Sequence, residues 1–473
     1  FRRVNLVALF GSAAWLISQS GSTTRSKGVG PDVMLISIDT LRADHVGPWS
    51  AGKHHTPVVE RLAENGAMFD KAYAPIAVTG PSHAAMLTGI VPWRSQMLLN
   101  GIPIPKNAAM ISEKLQTTGY QTGGFVSAYV LDGALGFQRG FEVFDDDFGW
   151  LRGWSRTGPG RIHAMIERNL WPSHVVERRG DHTVDRALSW MEQTADGPLF
   201  MWVHLFDPHG PYTPPAPFDT LHYTGDPRAA EHTSMDQVSG VADYLKSSLE
   251  GIRDVAWVNA QYAGEVAFVD QQIGRIVAAV EARGKLNNTI IVVLGDHGES
   301  LGENGVWFNH GGDLDVSAIQ VPFLVHWPDG IREGIVVDQP VGVVDVAPTI
   351  LGLLSQSLGV VDGTDLSPFL RGDKVDRGPV FSVCFDREMN QQERSAGTID
   401  TPTHVLAKGW GQAGWFRIGT HAERGAVQIG IVDPTLHTEL PALLHSLGSG
   451  VHEKVRGRNA ETVERLRSLG YVE

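Results

Sequence analysis

The chain has 473 residues, enough for one large α/β domain with an appendage or for a few smaller units. Hydrophobic residues at 42% and charged residues at 19% provide material for a sizeable core and exclude a disordered chain. Its 53 acidic against 39 basic residues leave a net charge of −14, which excludes a nucleic-acid binder relying on a general basic surface. The single cysteine, Cys384, excludes an internal disulfide framework and a cysteine-built metal site, and reads as a lone buried thiol.

In chain order, Arg2 and Arg3 precede the apolar run Val4 to Ile17, which gives way to a polar, small-residue stretch. Residues 1–28 therefore read as a signal peptide or N-terminal anchor, and export to a periplasmic or extracellular space is expected. The run is short for a membrane span, and membrane contact is expected only through it, if it is uncleaved.

Asp32 to Ile38 is the first apolar run with the length and β-branched content of a strand buried on both faces. Thr56-Pro57 opens a helix that ends near Gly66. Asp181 to Trp190 reads as a second helix, Leu199 to Phe206 as a second strand, and Gly264 to Arg283 as the clearest helix. Thr289 to Leu294 and Val321 to His326 complete the set of strands, with Pro322 near the start of the last. Strands alternating with helices predict an α/β fold, a mostly parallel sheet flanked by helices, over residues 29–371. Residues 217–254 lack a sustained period and read as a surface insertion that shapes a substrate entrance. After Arg371 the segments shorten, and residues 372–473 read as a small C-terminal α+β subdomain closed by a helix at Ala460 to Leu469.

Three of the strands run into Asp39, into Asp207-Pro208-His209 and into Gly295-Asp296-His297. In an open α/β sheet the site lies outside the carboxyl ends of the strands, so these clusters mark one. Pro81 fits a first helical turn, which would set Thr79 just ahead of free backbone N–H groups, where an anion is favoured. A threonine hydroxyl is a weak nucleophile and needs a base or a metal. Asp39, Asp296 and His297 with the Thr79 oxygen would make a four-ligand site for one divalent metal.

Four segments carry a resemblance: Leu35 to Asp44; Thr79-Gly80-Pro81-Ser82-His83 with Leu87-Thr88-Gly89; Asp207 to Tyr212; and Gly295 to Glu299. Lesser features are Tyr262 to Val266 with Asp270, Asp345 to Thr349, and Leu469-Gly470-Tyr471. Together they resemble the sulfatase family of the alkaline phosphatase superfamily, in a threonine variant. The resemblance implies an alkaline-phosphatase-like fold, a divalent metal at the strand ends and a helix-borne nucleophile attacking sulfur or phosphorus. His83, His209 and His310 fall where the family contacts the transferring group or the leaving oxygen.

The departures from the family pattern are informative. Thr79 stands at the place of the cysteine that becomes formylglycine, and a threonine cannot yield that aldehyde. His83 stands at the place of an arginine, and Ser127 and Tyr129 at those of a lysine and a histidine that grip sulfate. Thr40 replaces a second aspartate, and His297 replaces an asparagine, which moves the metal preference from calcium toward zinc or manganese. Threonine nucleophiles with such ligands resemble the phosphoryl-handling relatives. Without cationic grips a monoanionic ester is the easier substrate, unless Arg42, Arg94 or Arg139 supplies the charge. Asp207, His209 and His310 are an alternative set for a second metal. Glu299 and Glu303 read as caps of the following turn.

The expected activity is metal-dependent hydrolysis of a sulfate or phosphate-type ester, a diester or phosphonate, through Thr79, on a small-molecule, glycan or lipid substrate and with no nucleic-acid partner. The alternatives are a phospho-group transferase acting on a lipid or envelope glycan, and a non-catalytic binding protein.

Overall fold

Seven wholly buried residues, Asp32–Ile38, form the central strand β1. Val33 and Leu35 face one layer of the core, and Met34, Ile36 and Ile38 the other, so the strand is apolar on both sides. The computed structural model describes residues 30–148, 177–312, 314–375, 377–385, 404–411, 414–421 and 425–428. The N-terminal segment and the closing helix expected at Ala460 to Leu469 lie outside them.

In chain order the other strands of the main sheet are β2 (Ala67–Tyr73), β3 (Gln121–Phe125), β4 (Val143–Asp145), β5 (Leu199–Leu205) and β6 (Thr289–Gly295). After a short hairpin of β7 (Ser300–Leu301) and β8 (Trp307–Asn309) come β9 (Gln320–His326), β10 (Ile335–Val337) and β11 (Val341–Gly342). The sheet runs β10-β2-β9-β6-β1-β5-β3-β4, with β11 also on β2. β1 pairs in parallel with β5 and β6, which brings all three carboxyl ends to one edge. The sheet is mostly parallel, as the sequence predicts; β9 is the exception and runs antiparallel to both β6 and β2.

The longer helices are α1 (Pro57–Glu64), α2 (Thr79–Thr88), α3 (Ile111–Thr117), α4 (Gly180–Gln193), α5 (Val255–Ala282) and α6 (Val346–Leu353). α2 is buried along its whole length and stops where Gly89 turns left-handed, at φ 69°. α5 starts at Val255, well before the Gly264 expected from periodicity, because the Asp254 side chain caps it by accepting from Ala256 N. The insertion at 217–254 holds only short helical turns, at Phe218–Thr220, Ser234–Gln237 and Asp243–Lys246.

β12 (Val380–Phe385), β13 (His404–Gly411), β14 (Gly414–His421) and β15 (Gly425–Gln428) form a separate antiparallel sheet. β12 leans on the main sheet, where Val383 N donates to Pro75 O at 2.9 Å and Ser382 Oγ to Ala74 O at 2.7 Å. Cys384 is buried on this strand. Among the described residues no helix is long and apolar enough to cross a membrane.

Candidate active site

The site grows from the sheet edge. Asp39 follows β1 and donates its N–H to Leu205 O at 2.9 Å; Asp296 follows β6 and donates to Ile38 O at 3.1 Å. Ladder pairing thus continues one residue past the strands and fixes both carboxylate-bearing Cα atoms. Between them Thr40 adopts φ 50°, a strained setting for a β-branched residue. Its N–H donates to Asp296 Oδ1 at 3.1 Å, and its carbonyl accepts from the Tyr262 hydroxyl of α5 at 2.7 Å. His297 N also donates to Asp296 Oδ1, at 2.7 Å.

Asp39, Asp296 and His297 converge, with one ligand atom from each lying within 4.8 Å of the others, all buried. His297 Nδ1 donates to Gly298 O at 2.9 Å, which leaves the Nε2 lone pair facing the carboxylates, 3.5 Å from Asp296 Oδ2 and 3.7 Å from Asp39 Oδ1. Burial pushes the His297 imidazole down to about 3, so that nitrogen is an unprotonated donor. Burial raises both carboxyl groups above their ordinary range, Asp296 strongly, and the Asp39 charge adds to its shift. Asp296 Oδ2 has no hydrogen bond. Two buried acids, an orphaned oxygen and an unprotonated imidazole nitrogen fit a divalent cation.

Thr79 opens α2 and is wholly buried. Its Oγ1 lies 3.4 Å from Asp39 Oδ1 and 3.3 Å from His297 Nε2, so the hydroxyl sits beside the group that could hold a cation. Ser82, one turn along, donates to Asp296 O at 2.7 Å and ties the helix to the β6 edge.

His83 is fully buried, one turn along α2 from Thr79. Its Nδ1 donates to Thr79 O at 2.9 Å and lies 3.4 Å from Asp296 Oδ2, while its Nε2 meets Ser37 Oγ at 2.9 Å. Burial keeps this ring uncharged. His209 and His310 pack edge to face, with ring centres 5.1 Å apart, and His310 sits 4.6 Å from the His297 ring. His209 Nδ1 donates to Gly210 O at 2.7 Å, and burial lowers its pKa. His310 Nδ1 lies 3.2 Å from Glu299 Oε1.

Several expectations are corrected. Glu299 is not a turn cap: it is buried and stands behind His310, and Glu303 does not cap the turn after it but accepts from Leu301 N at 2.7 Å and pairs with Arg42. The three arginines considered as oxyanion grips are engaged elsewhere. Arg42 pairs with Asp44 and Glu303, Arg94 with Asp362, and Arg139 with Glu113. Asp207 turns away from His209 and His310 and accepts from Gly180 N at 2.8 Å, so these three do not form a second ligand set among the described residues. Ser127 is spent on Thr183 Oγ1 and on His204 O, at 2.6 and 2.8 Å.

Sequence reasoning missed two residues that border the cluster. Asn100 Oδ1 accepts from Gly80 N at 2.7 Å, and its buried Nδ2 has no protein partner. His204, on β5, places Nε2 3.4 Å from Asp39 Oδ2. A polar residue inside the apolar run of β5 was the available signal for His204; for Asn100 there was none. At the mouth, Tyr244 of the insertion stacks on His209 with ring centres 5.8 Å apart.

A mostly parallel α/β sheet, with two carboxylates and an imidazole at its carboxyl edge and a hydroxyl at the start of a buried helix, defines an alkaline-phosphatase-like hydrolase. The sequence profile of the Sulfatase family matches residues 31–356, and the chain belongs to that family, whose enzymes are metal-dependent ester hydrolases. It is 25% identical over 383 residues to the arylsulfatase of Clostridium perfringens, covering 72% of this chain and 78% of that one. It is 22% identical to the multifunctional alkaline phosphatase superfamily protein PehA of Trinickia caryophylli, covering 72% and 77%. Among solved structures, the phosphonate monoester hydrolase of Agrobacterium radiobacter superposes with a TM-score of 0.64 at 23% identity, covering 93% of this chain and 96% of that one. The enzyme SpPMH from Silicibacter pomeroyi gives 0.65 at 24%, with the same coverage.

Proposed function

We propose that the protein hydrolyses a monoanionic phosphoryl ester, a phosphodiester or phosphonate monoester, with Thr79 as the nucleophile. The observation that carries this reading is the placement of Thr79 Oγ1, at the first turn of a buried helix and 3.3–3.4 Å from two members of the ligand group. A divalent ion held by Asp39, Asp296, His297 and Thr79, zinc or manganese by this donor set, would lower the hydroxyl's pKa and screen the ester's charge.

The chain's own groups divide the remaining work. Thr79 Oγ, having given up its proton to solvent, attacks phosphorus; the P–O bond to the leaving group breaks, and a phospho-threonine ester results. His310, backed by the Glu299 carboxylate, suits the imidazolium form and gives its Nε2 proton to the departing oxygen. His209 has Nδ1 committed to Gly210 O, so its Nε2 lone pair can take a proton from the water that later cleaves the phospho-threonine. Asn100 Nδ2 is placed to donate to a non-bridging oxygen, because its Oδ1 is held by the residue after the nucleophile. His83 fits a different task from the substrate contact expected of it: with both nitrogens occupied, it braces the Thr79 carbonyl against Ser37 of β1.

The charge of the substrate follows from the same inventory. Burial keeps His83, His204 and His209 from protonating readily, and Arg42, Arg94 and Arg139 point elsewhere. A dianionic monoester would bring a second charge with little to meet it; a diester brings one. The test is turnover of nitrophenyl sulfate, nitrophenyl phosphate, bis-nitrophenyl phosphate and nitrophenyl phenylphosphonate with Mn²⁺ or Zn²⁺. The diester or phosphonate should lead, and Thr79→Ala should abolish it. A sulfate ester in the lead would overturn the reading.

A further inference from the structure

Alternation along β5 sends Phe200 and Trp202 to the α2 side of the sheet, and His204 follows them. Register pairs it with Ser37 on β1, two residues before Asp39. The ring is wholly buried. Its Nδ1 accepts from Ser127 N at 3.3 Å, so in the neutral ring the proton is on Nε2. That nitrogen lies 3.4 Å from Asp39 Oδ2, and neither atom has another hydrogen-bond partner. Leaving both orphaned in the interior would be costly, and each is the other's nearest remedy.

We propose that His204 is a positioning residue for Asp39: its Nε2–H holds Oδ2, so that Oδ1 stays turned toward Thr79 and His297. The geometry on the other oxygen agrees, since Oδ1 is the atom 3.4 Å from Thr79 Oγ1 and 3.7 Å from His297 Nε2. An imidazole also lies near the other buried carboxylate, though its nitrogens are engaged elsewhere. His83 stands 3.4 Å from Asp296 Oδ2, His204 stands 3.4 Å from Asp39 Oδ2, and the two rings meet edge to face at 4.8 Å. A donor behind a ligating carboxylate fixes its orientation, and loss of such partners weakens metal affinity about 10–100-fold.

The inference rests on Asp39, Asp296 and His297 being the metal ligands. The test is calorimetric titration of Mn²⁺ into the metal-stripped full chain for the wild type, His204→Gln and His204→Asn, with circular dichroism confirming the fold of each. A glutamine amide nitrogen reaches about as far as Nε2 and can still donate to Asp39; an asparagine falls short. Affinity should fall about 10–100-fold in His204→Asn and stay within about threefold of wild type in His204→Gln. Equal affinity in all three proteins, or an equal loss in both variants, overturns the role of His204. A wild type that binds no Mn²⁺ overturns the metal site itself, and the His204 proposal with it.

Discussion

His310 and His209 pack edge to face beside His297 and differ in what stands behind them, a carboxylate in one case and a carbonyl in the other. A carboxylate stabilises the imidazolium, which is why His310 is the acid in the proposed reaction. Removing it should matter only where the leaving oxygen needs a proton. His310→Ala should therefore lose about 10²–10⁴-fold in kcat on alkyl esters and much less on nitrophenyl esters, as a leaving-group series would show. Equal losses across the series would assign His310 to binding instead. At this scale the sequence pointed to Asp39, Thr79, Asp296 and His297 as candidates, because strand ends and a helix start are patterns along the chain. Glu299, Asn100 and His204 act through partners distant in sequence or through backbone atoms, and such pairings leave no local trace. The arginines failed as grips for the same reason: each found a carboxylate that only the folded chain brings near.

The element that most controls the site from outside it is α5. Tyr262 on this helix donates to Thr40 O at 2.7 Å and accepts from Arg42 N at 3.0 Å, pinning the strained turn that follows Asp39. Further along, Asp270 accepts from Val58 N and Val59 N and so caps α1. Tyr262→Phe removes one hydroxyl and leaves two buried backbone groups unpaired. It should cost about 1–3 kcal/mol in denaturant unfolding and lower activity by loosening Asp39. Unchanged stability would show that water replaces the hydroxyl. The strands were legible because two-sided burial demands unbroken apolar runs; the antiparallel direction of β9 was not, since an apolar run carries no sense. The start of α5 was missed because its first turn is only part-buried and the buried stretch that follows includes the polar Gln261, which breaks the apolar period.

For the whole molecule, buried acids set how stability responds to pH. Glu177, Asp207 and Glu265 gather behind the His209 loop. Burial raises Glu177 to about 7 and Asp207 to about 6, with the Asp207 charge adding to the Glu177 shift. Burial raises Glu265 as well. A carboxyl whose folded pKa lies above its unfolded value favours the fold while protonated, and that advantage is lost as pH rises through the folded pKa. Glu177→Gln mimics the protonated form. Its melting temperature relative to wild type should rise from pH 5 to pH 7 and level off above, by an amount corresponding to about 1–3 kcal/mol. A difference that does not change with pH would contradict this assignment.

The central claim is a covalent bond to one oxygen, and it can be looked for directly. Metal-loaded protein turning over a phosphodiester is quenched in acid, digested and examined by mass spectrometry. A phosphoryl ester on the peptide carrying Thr79, absent from Thr79→Ala and decaying as fast as product forms, is the expected result. Turnover with no adduct at Thr79, or with the adduct on another residue, contradicts it.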